Sequence, residues 1–348
     1  MVLKKYALFN WIYLTLGLLL VLLIIYMSCY IHMLNEQITK KEQSLDLLNT
    51  KLKNLEEESA LCFSGLFNQL KKEWAEEGHL SDEVIASIKA FSMLHSPENT
   101  AYFDSVSVQD FSVPRGQLLM ALLELDLDKK TWLRLKADVS FSGAVLREVD
   151  LKGIDLSSMD LQGVDLTDAN LSHACLDNTN MKRANLQRVN MVGASVIKSN
   201  LKWADASWAN MSHLNGDSIR LDGILLNNAR LNNAVLNDAS LMWSELRGAD
   251  LTEVSANRAN LKGCDLLRAN LTSAKFQKAN FNRANLCESI FSNTNIDSAI
   301  MINAMVMVKS WIDNIDIAGI EGRDWLMANY ILIREGERFK LAKKSKGD

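Results

Sequence analysis

The sequence predicts a mainly β chain wound into a solenoid, preceded by a transmembrane helix, a short coiled coil and a helical neck. Three observations carry this. From Phe141 to Val306 an apolar or small residue returns every five positions without a slip, and alanine often stands two positions before it. From Tyr6 to Ile31 no charged residue occurs. Between these stretches, apolar residues recur at helical intervals. The implied order is 1–5, a cytoplasmic N-terminus; 6–31, the transmembrane helix; 32–62, a coiled-coil stalk; 63–140, a helical neck and N-terminal cap; 141–306, the repeats; and 307–348, a C-terminal cap with a short helix around Asp324–Arg334 and a solvated basic tail, "LAKKSKGD".

As a helix, segment 6–31 covers roughly 39 Å, enough for a hydrocarbon core of about 30 Å. Trp11 and Tyr13 lie near one end and Tyr26 and Tyr30 near the other, as in an interfacial aromatic belt. A cleaved signal peptide, or a lipoprotein signal ending at Cys29, is the alternative reading. Lys4 and Lys5 precede the run and the first lysine after it is Lys40, which favours a cytoplasmic N-terminus. The expectation is a single-pass protein of a bacterial inner membrane with its body in the periplasm.

In the stalk, Leu34, Ile38, Leu45, Leu48, Leu52 and Leu55 fall at a and d positions of a heptad and would pair copies of the chain. Lys41 and Ser59 interrupt that seam, and a single amphipathic helix is the alternative. In the neck, Ser81 before "DEVIASIKAFSML" reads as an N-cap, and helices are expected in "RGQLLMALLELDL" after Pro114 and in "KKTWLRLK". The five cysteines form no CxxC pair and do not read as a disulfide framework.

A five-residue period fits neither a straight helix nor a straight strand. Two residues apart on an extended segment share a face, so each centre and the residue two before it point inward together. The remaining three-residue step would flip the face, so the chain must bend once per repeat. The stretches "LTDANLSHACL" and "FQKANFNRANL" carry an A(D/N)LXX pattern that resembles the pentapeptide repeat family. The resemblance covers roughly half the chain. It implies a right-handed quadrilateral β-helix with four repeats per coil, about eight coils and roughly 40 Å of length. Columns of residues twenty apart, such as Leu146, Leu166 and Leu186, should then stack. Ala206, Gly216 and Ala256 depart from the pattern and are expected to thin the core or distort a corner.

The best-known proteins of that family imitate DNA and bind type II topoisomerases, which needs a strongly acidic rod. Here residues 141–306 hold seventeen Asp and Glu against sixteen Lys and Arg. No nucleic acid partner is expected. No P-loop, GxSxG or HExxH motif occurs and the five histidines lack ligand spacing, so no catalysis, cofactor or metal is expected. The many Asp and Asn residues just before the centres read as solvated surface. Trp203, Trp208 and Trp243 stand two places after a centre, where polar residues are the rule, and Gly223 lies between Trp203 and Trp243 in one column as a possible notch. With Leu225 and Val235, apolar just before their centres, they form the candidate partner-binding surface. The alternative is that the rings lie flat over the coil. The expectation is therefore a non-enzymatic, membrane-anchored scaffold that binds protein partners in an envelope complex, the bilayer through 6–31, and its own copies through the stalk. A secreted effector at host membranes and a topoisomerase-binding DNA mimic are the alternatives.

Overall fold

The computed structural model describes residues 27, 30, 32–43, 61–94, 113–125, 127–307 and 319–345. The chain divides into two compact units, Met1–Cys62 and Phe63–Asp348. In the first, residues 32–43 are helical and exposed, and Leu34 and Ile38 stand on this helix. Leu45, Leu48, Leu52 and Leu55 lie outside the described residues, and the coiled coil is not shown. The membrane placement is corrected: among the described residues no helix is long and apolar enough to cross a membrane. Residues 32–43 carry Glu36, Lys40, Lys41 and Glu42, which a hydrocarbon core would not take. Apart from Met27 and Tyr30, segment 6–31 lies outside the described residues. The structure thus gives no support to an inner-membrane location, a cytoplasmic N-terminus or a bilayer contact.

In the second unit four helices precede the solenoid: α1 (61–77), α2 (Asp82–Leu94), α3 (Val113–Glu124) and α4 (Lys129–Asp138). Ser81 caps α2 as expected, its Oγ accepting from the Val84 amide at 3.2 Å, and Glu73 in turn accepts from the Ser81 amide and hydroxyl. Asp128 caps α4 through the amides of Lys130 and Thr131. These helices close the first coil. The buried Arg115 of α3 donates Nε to the Ser92 carbonyl at 2.8 Å and reaches the Ser142 carbonyl of the first coil. Beside it, Gly116 lies so near the coil that a Cβ would sit 2.0 Å from the Val145 carbonyl oxygen. On α4, Trp132 donates to the Asp155 carbonyl, and the Lys136 ammonium lies 2.9 Å from the Asp155 carboxylate.

From Val145 onward, single parallel bridges join residues twenty apart, beginning with Val145↔Asp165 and reaching Asn285↔Met305. Four five-residue repeats therefore make one coil. Each bend is a β-turn: Ala204 N–H donates to the Leu201 carbonyl at 3.2 Å, and Trp203, third in the turn, has φ 62°. A side chain in this left-handed region costs roughly 1–2 kcal/mol. The turn is held because its amide also serves the next coil, as when Trp203 N–H donates to the Asp222 carbonyl at 3.1 Å. Leu201 N–H bonds forward to Arg220 at 2.8 Å and Asp205 N–H backward to Ala184 at 2.9 Å, so the backbone donors inside the stack are satisfied between coils.

The inward pairs are buried along most of the solenoid, from Phe141 and Ala144 to Ala304 and Val306, with Val149, Ile154 and Ser289 half-buried near its two ends. Polar residues at the inward alanine position keep a partner there. Thr179, Ser199, Ser244 and Thr294 donate to main-chain carbonyls of the preceding coil, and Cys264 Sγ does the same to Leu241 at 2.8 Å. The Asp and Asn residues before the centres are built into the wall rather than merely solvated. Asn170 Oδ1 accepts from the Ser172 amide at 3.1 Å and from Asn190 Nδ2 at 3.0 Å, while Asn170 Nδ2 donates to Asp150 at 2.8 Å. The expected weak points are filled. Leu214 and Val254 stand two before Gly216 and Ala256, and a Cβ at Gly216 would already meet Leu236 Cδ2 at 3.1 Å. The Ala206 coil keeps its register, with Ile224 in the neighbouring column position.

At the far end β1 (Met305–Val306), β2 (Tyr330–Glu335) and β3 (Arg338–Lys343) form an antiparallel sheet in the order β1-β3-β2, with α5 (Arg323–Asn329) before β2. The sequence suggested a helix over Asp324–Arg334. It ends instead at Asn329, because "YILIREGERFKLAK" forms a hairpin with Gly336 in the left-handed region. Leu341, expected in a solvated tail, is buried, and Tyr330 Oη accepts the Met301 amide at 3.1 Å. This hairpin covers the strand edge that the last coil would otherwise expose.

Candidate functional site

A residue two after a centre follows the bend and points outward, so every twentieth such residue falls in one column. One column reads Arg183, Trp203, Gly223, Trp243, Gly263, Arg283. Trp203 is 58% and Trp243 55% exposed. The notch expected at Gly223 is already occupied. A Cβ on Gly223 would lie 2.2 Å from Cε3 and Cζ3 of Trp203, and one on Gly263 would lie 2.3 Å from Cε3 of Trp243. Each indole thus covers the glycine of the following coil, with its other side toward solvent. His173 covers Gly193 in the same manner on another corner. Gly263 was missed in the sequence, although the signal was there: an aromatic residue after a centre with glycine twenty positions on.

The other predicted residues divide. Trp208, 65% exposed, stands at the next corner of the same coil as Trp203. Leu225 lies half-buried on the wall between those two corners, one coil further on. Val235 is on the opposite wall and does not join the site.

Next to Trp203 in the chain, Lys202 Nζ lies 2.7 Å from the buried Asp222 carboxylate of the following coil. Burial pushes the Asp222 carboxyl up, but the Lys202 ammonium, the Ser240 hydroxyl and the Met242 amide together hold it below the usual carboxylate range. Elsewhere, outward charges pair coil to coil: Arg188 with Asp168 at 2.6 Å, Arg258 with Asp238 at 2.5 Å and Arg268 with Glu288 at 2.6 Å. The hydrogen-bonded guanidinium holds Asp168 and Asp238 below their ordinary range. Arg183 and Arg283 differ, making no ion pair among the described residues. Among those residues no three His, Cys, Asp or Glu side chains converge as metal ligands would. A separate groove of about 420 Å³, lined by Phe63, Phe67, Met120, Glu124, Val145 and Val149, lies between α1, α3 and the first coils.

Parallel bridges twenty apart, bends every five residues and an aromatic line on the outer wall define a β-solenoid repeat protein. Residues 140–178, 165–202, 174–212, 219–255, 252–293 and 264–303 match the family of pentapeptide repeats. The solenoid is thus similar to the proteins of that family, which are generally non-enzymatic interaction proteins. Comparison with curated proteins gives no match. Among solved structures, the chain is similar to HetL of the cyanobacterium Nostoc sp. strain PCC 7120, a pentapeptide repeat protein involved in heterocyst differentiation regulation. The identity is 24%, over 57% of this chain and 94% of that one, with a TM-score of 0.33. It is similar to QnrB1, a plasmid-mediated fluoroquinolone resistance protein, at 14% identity over 44% and 80% of the two chains, TM-score 0.29. It is also similar to Rfr23 of the cyanobacterium Cyanothece 51142, at 22% identity over 48% and 98%, TM-score 0.15.

Proposed function

We propose that the solenoid is a non-enzymatic scaffold whose Trp203–Trp243 column, with Trp208 beside it, binds a protein partner. The observation that carries this reading is the exposure of two large indoles, each set over a glycine, on a wall whose other outward positions are mainly polar. Tryptophan and arginine are the residues most often responsible for binding energy at interfaces, and both occur in this column. A rigid support reduces the ordering cost of binding. Photo-crosslinking in cells tests it. A benzophenone side chain replacing Lys262, next to the column, should give a discrete adduct with another protein, whereas one replacing Asn178 on a different corner should not. Equal adducts from both positions, or adducts unchanged by Trp203→Ala with Trp243→Ala, would reject the reading.

A further inference from the structure

The spacing of the two indoles points to a class of partner, a deduction that rests on the protein-binding reading above. We propose that the column docks a proline-rich segment in the polyproline II conformation with acidic residues flanking its prolines. Trp203 and Trp243 are two coils apart, about 9.6 Å at the ordinary interstrand spacing. A polyproline II chain repeats every three residues, about 9.3 Å. Laid along the solenoid axis, it sets one residue in three on the indole line, so two prolines three apart each meet one ring. The alternatives fit worse. An extended strand repeats its face about every 6.7 Å. An α-helix returns after seven residues, about 10.5 Å, and prefers a groove to a corner.

The glycines complete the shape. Gly223 and Gly263 carry no side chain, so each ring lies close over the wall and offers its other face to the ligand. A proline ring stacked on a flat aromatic surface gives up little conformational freedom, since its helix is preformed. Charge sets the flanks. Arg283 lies two coils past Trp243, one further turn of the ligand, and Arg183 one coil before Trp203. Lys182 and Lys262 stand beside the same column, while Asp222 is already held by Lys202. Carboxylates on the ligand at those two ends meet guanidinium groups that make no ion pair among the described residues, where bidentate hydrogen bonding is available.

The test uses the full chain and acetylated peptides of nine prolines flanked by two glutamates at each end, titrated by calorimetry. The glutamate-flanked peptide should bind about tenfold more tightly than a lysine-flanked one or a glutamate-flanked glycine–serine peptide. Trp203→Ala and Trp243→Ala should each weaken binding by about tenfold. Gly263→Ala should also weaken it by displacing the Trp243 ring; non-glycine residues hold the same positive φ at most other coils, so its backbone is tolerated. Arg283→Glu should reduce the preference for acidic flanks, and circular dichroism of each variant should match the parent. Equal binding of the glycine–serine peptide, or tighter binding of oligothymidylate that the same tryptophan substitutions abolish, would overturn the proposal. Absence of oligoproline binding alongside a persistent crosslink from position 262 would overturn it too, yet leave the protein-binding reading standing.

Discussion

Residues two apart in the wall share one volume, and Leu214 with Gly216 shows it most clearly. The centre has lost its side chain, and the position before it has gained one, so the coil stays full. Restoring the usual leucine at the centre should therefore do harm. Gly216→Leu is expected to lower unfolding free energy by about 1–3 kcal/mol through overpacking, and Leu214→Ala in the same chain should recover much of it. Chemical denaturation of the two variants and the parent measures this. Burial pushes the Cys264 thiol up to about 12. In the native protein it should resist alkylation at pH 8 while the exposed Cys62 reacts, and it should become reactive only on unfolding. Mass spectrometry after brief labelling decides the point. Asp222 has a depressed folded value, so its contribution is present above the unfolded carboxylate value near 3.9 and lost as pH falls through the folded one. The thermal midpoint of Asp222→Ala should thus lie below that of the parent at pH 7, and the gap should narrow under strong acid. Much of this level was legible in the sequence, because inward alanine and leucine recur with the bend itself. The exchange of volume between 214 and 216 was not, since it requires knowing that both positions point into one space.

At the scale of elements, the two ends of the solenoid are closed by different means, and the predicted secondary structure fits only the N-terminal one. The N-terminal helices announce themselves through Ser81, Pro114 and helical apolar spacing, and they occur where expected. Their attachment rests on Arg115 and Gly116, which no local pattern distinguishes. Gly116→Ala would drive a Cβ into the Val145 carbonyl and lift α3 from the first coil. We expect a loss of about 1–3 kcal/mol, with faster hydrogen exchange in α3 and residues 141–160 than in the middle coils. The C-terminal hairpin was taken for a helix and tail because Leu326 and Met327 continue an apolar pattern into "YILI". The deciding features were the alternation after Tyr330 and the two-residue bend at Gly336, the signs of paired strands.

Across the whole solenoid, each coil contacts only the coils before and after it, so stability is nearly a sum of neighbouring interfaces. Amide exchange measured in the native state should be fastest near the two caps and slowest around residues 200–260, with no single loop setting the rate. Uniform exchange along the solenoid would reject that picture. The membrane assignment rested on the length of one apolar run and is overturned because no helix among the described residues is long and apolar enough to cross a membrane, while the repeats could be judged from their own spacing. The partner surface was half legible. Period five placed both tryptophans on one line, whereas the covered glycines and the arginines that make no ion pair among the described residues required the neighbouring coils.

The bridge from each residue to its twentieth successor has a consequence for how such a gene can change length. Adding or removing twenty residues alters only reach, and every later side chain keeps its compass bearing. Adding five keeps leucine indoors but rotates everything downstream by a quarter turn, carrying Trp243 away from Trp203 while the protein remains folded. Whole-turn duplications outside the stretch from Trp203 to Trp243 therefore leave the docking line intact, whereas one inside that stretch changes the spacing of the rings and a quarter-turn one changes their direction.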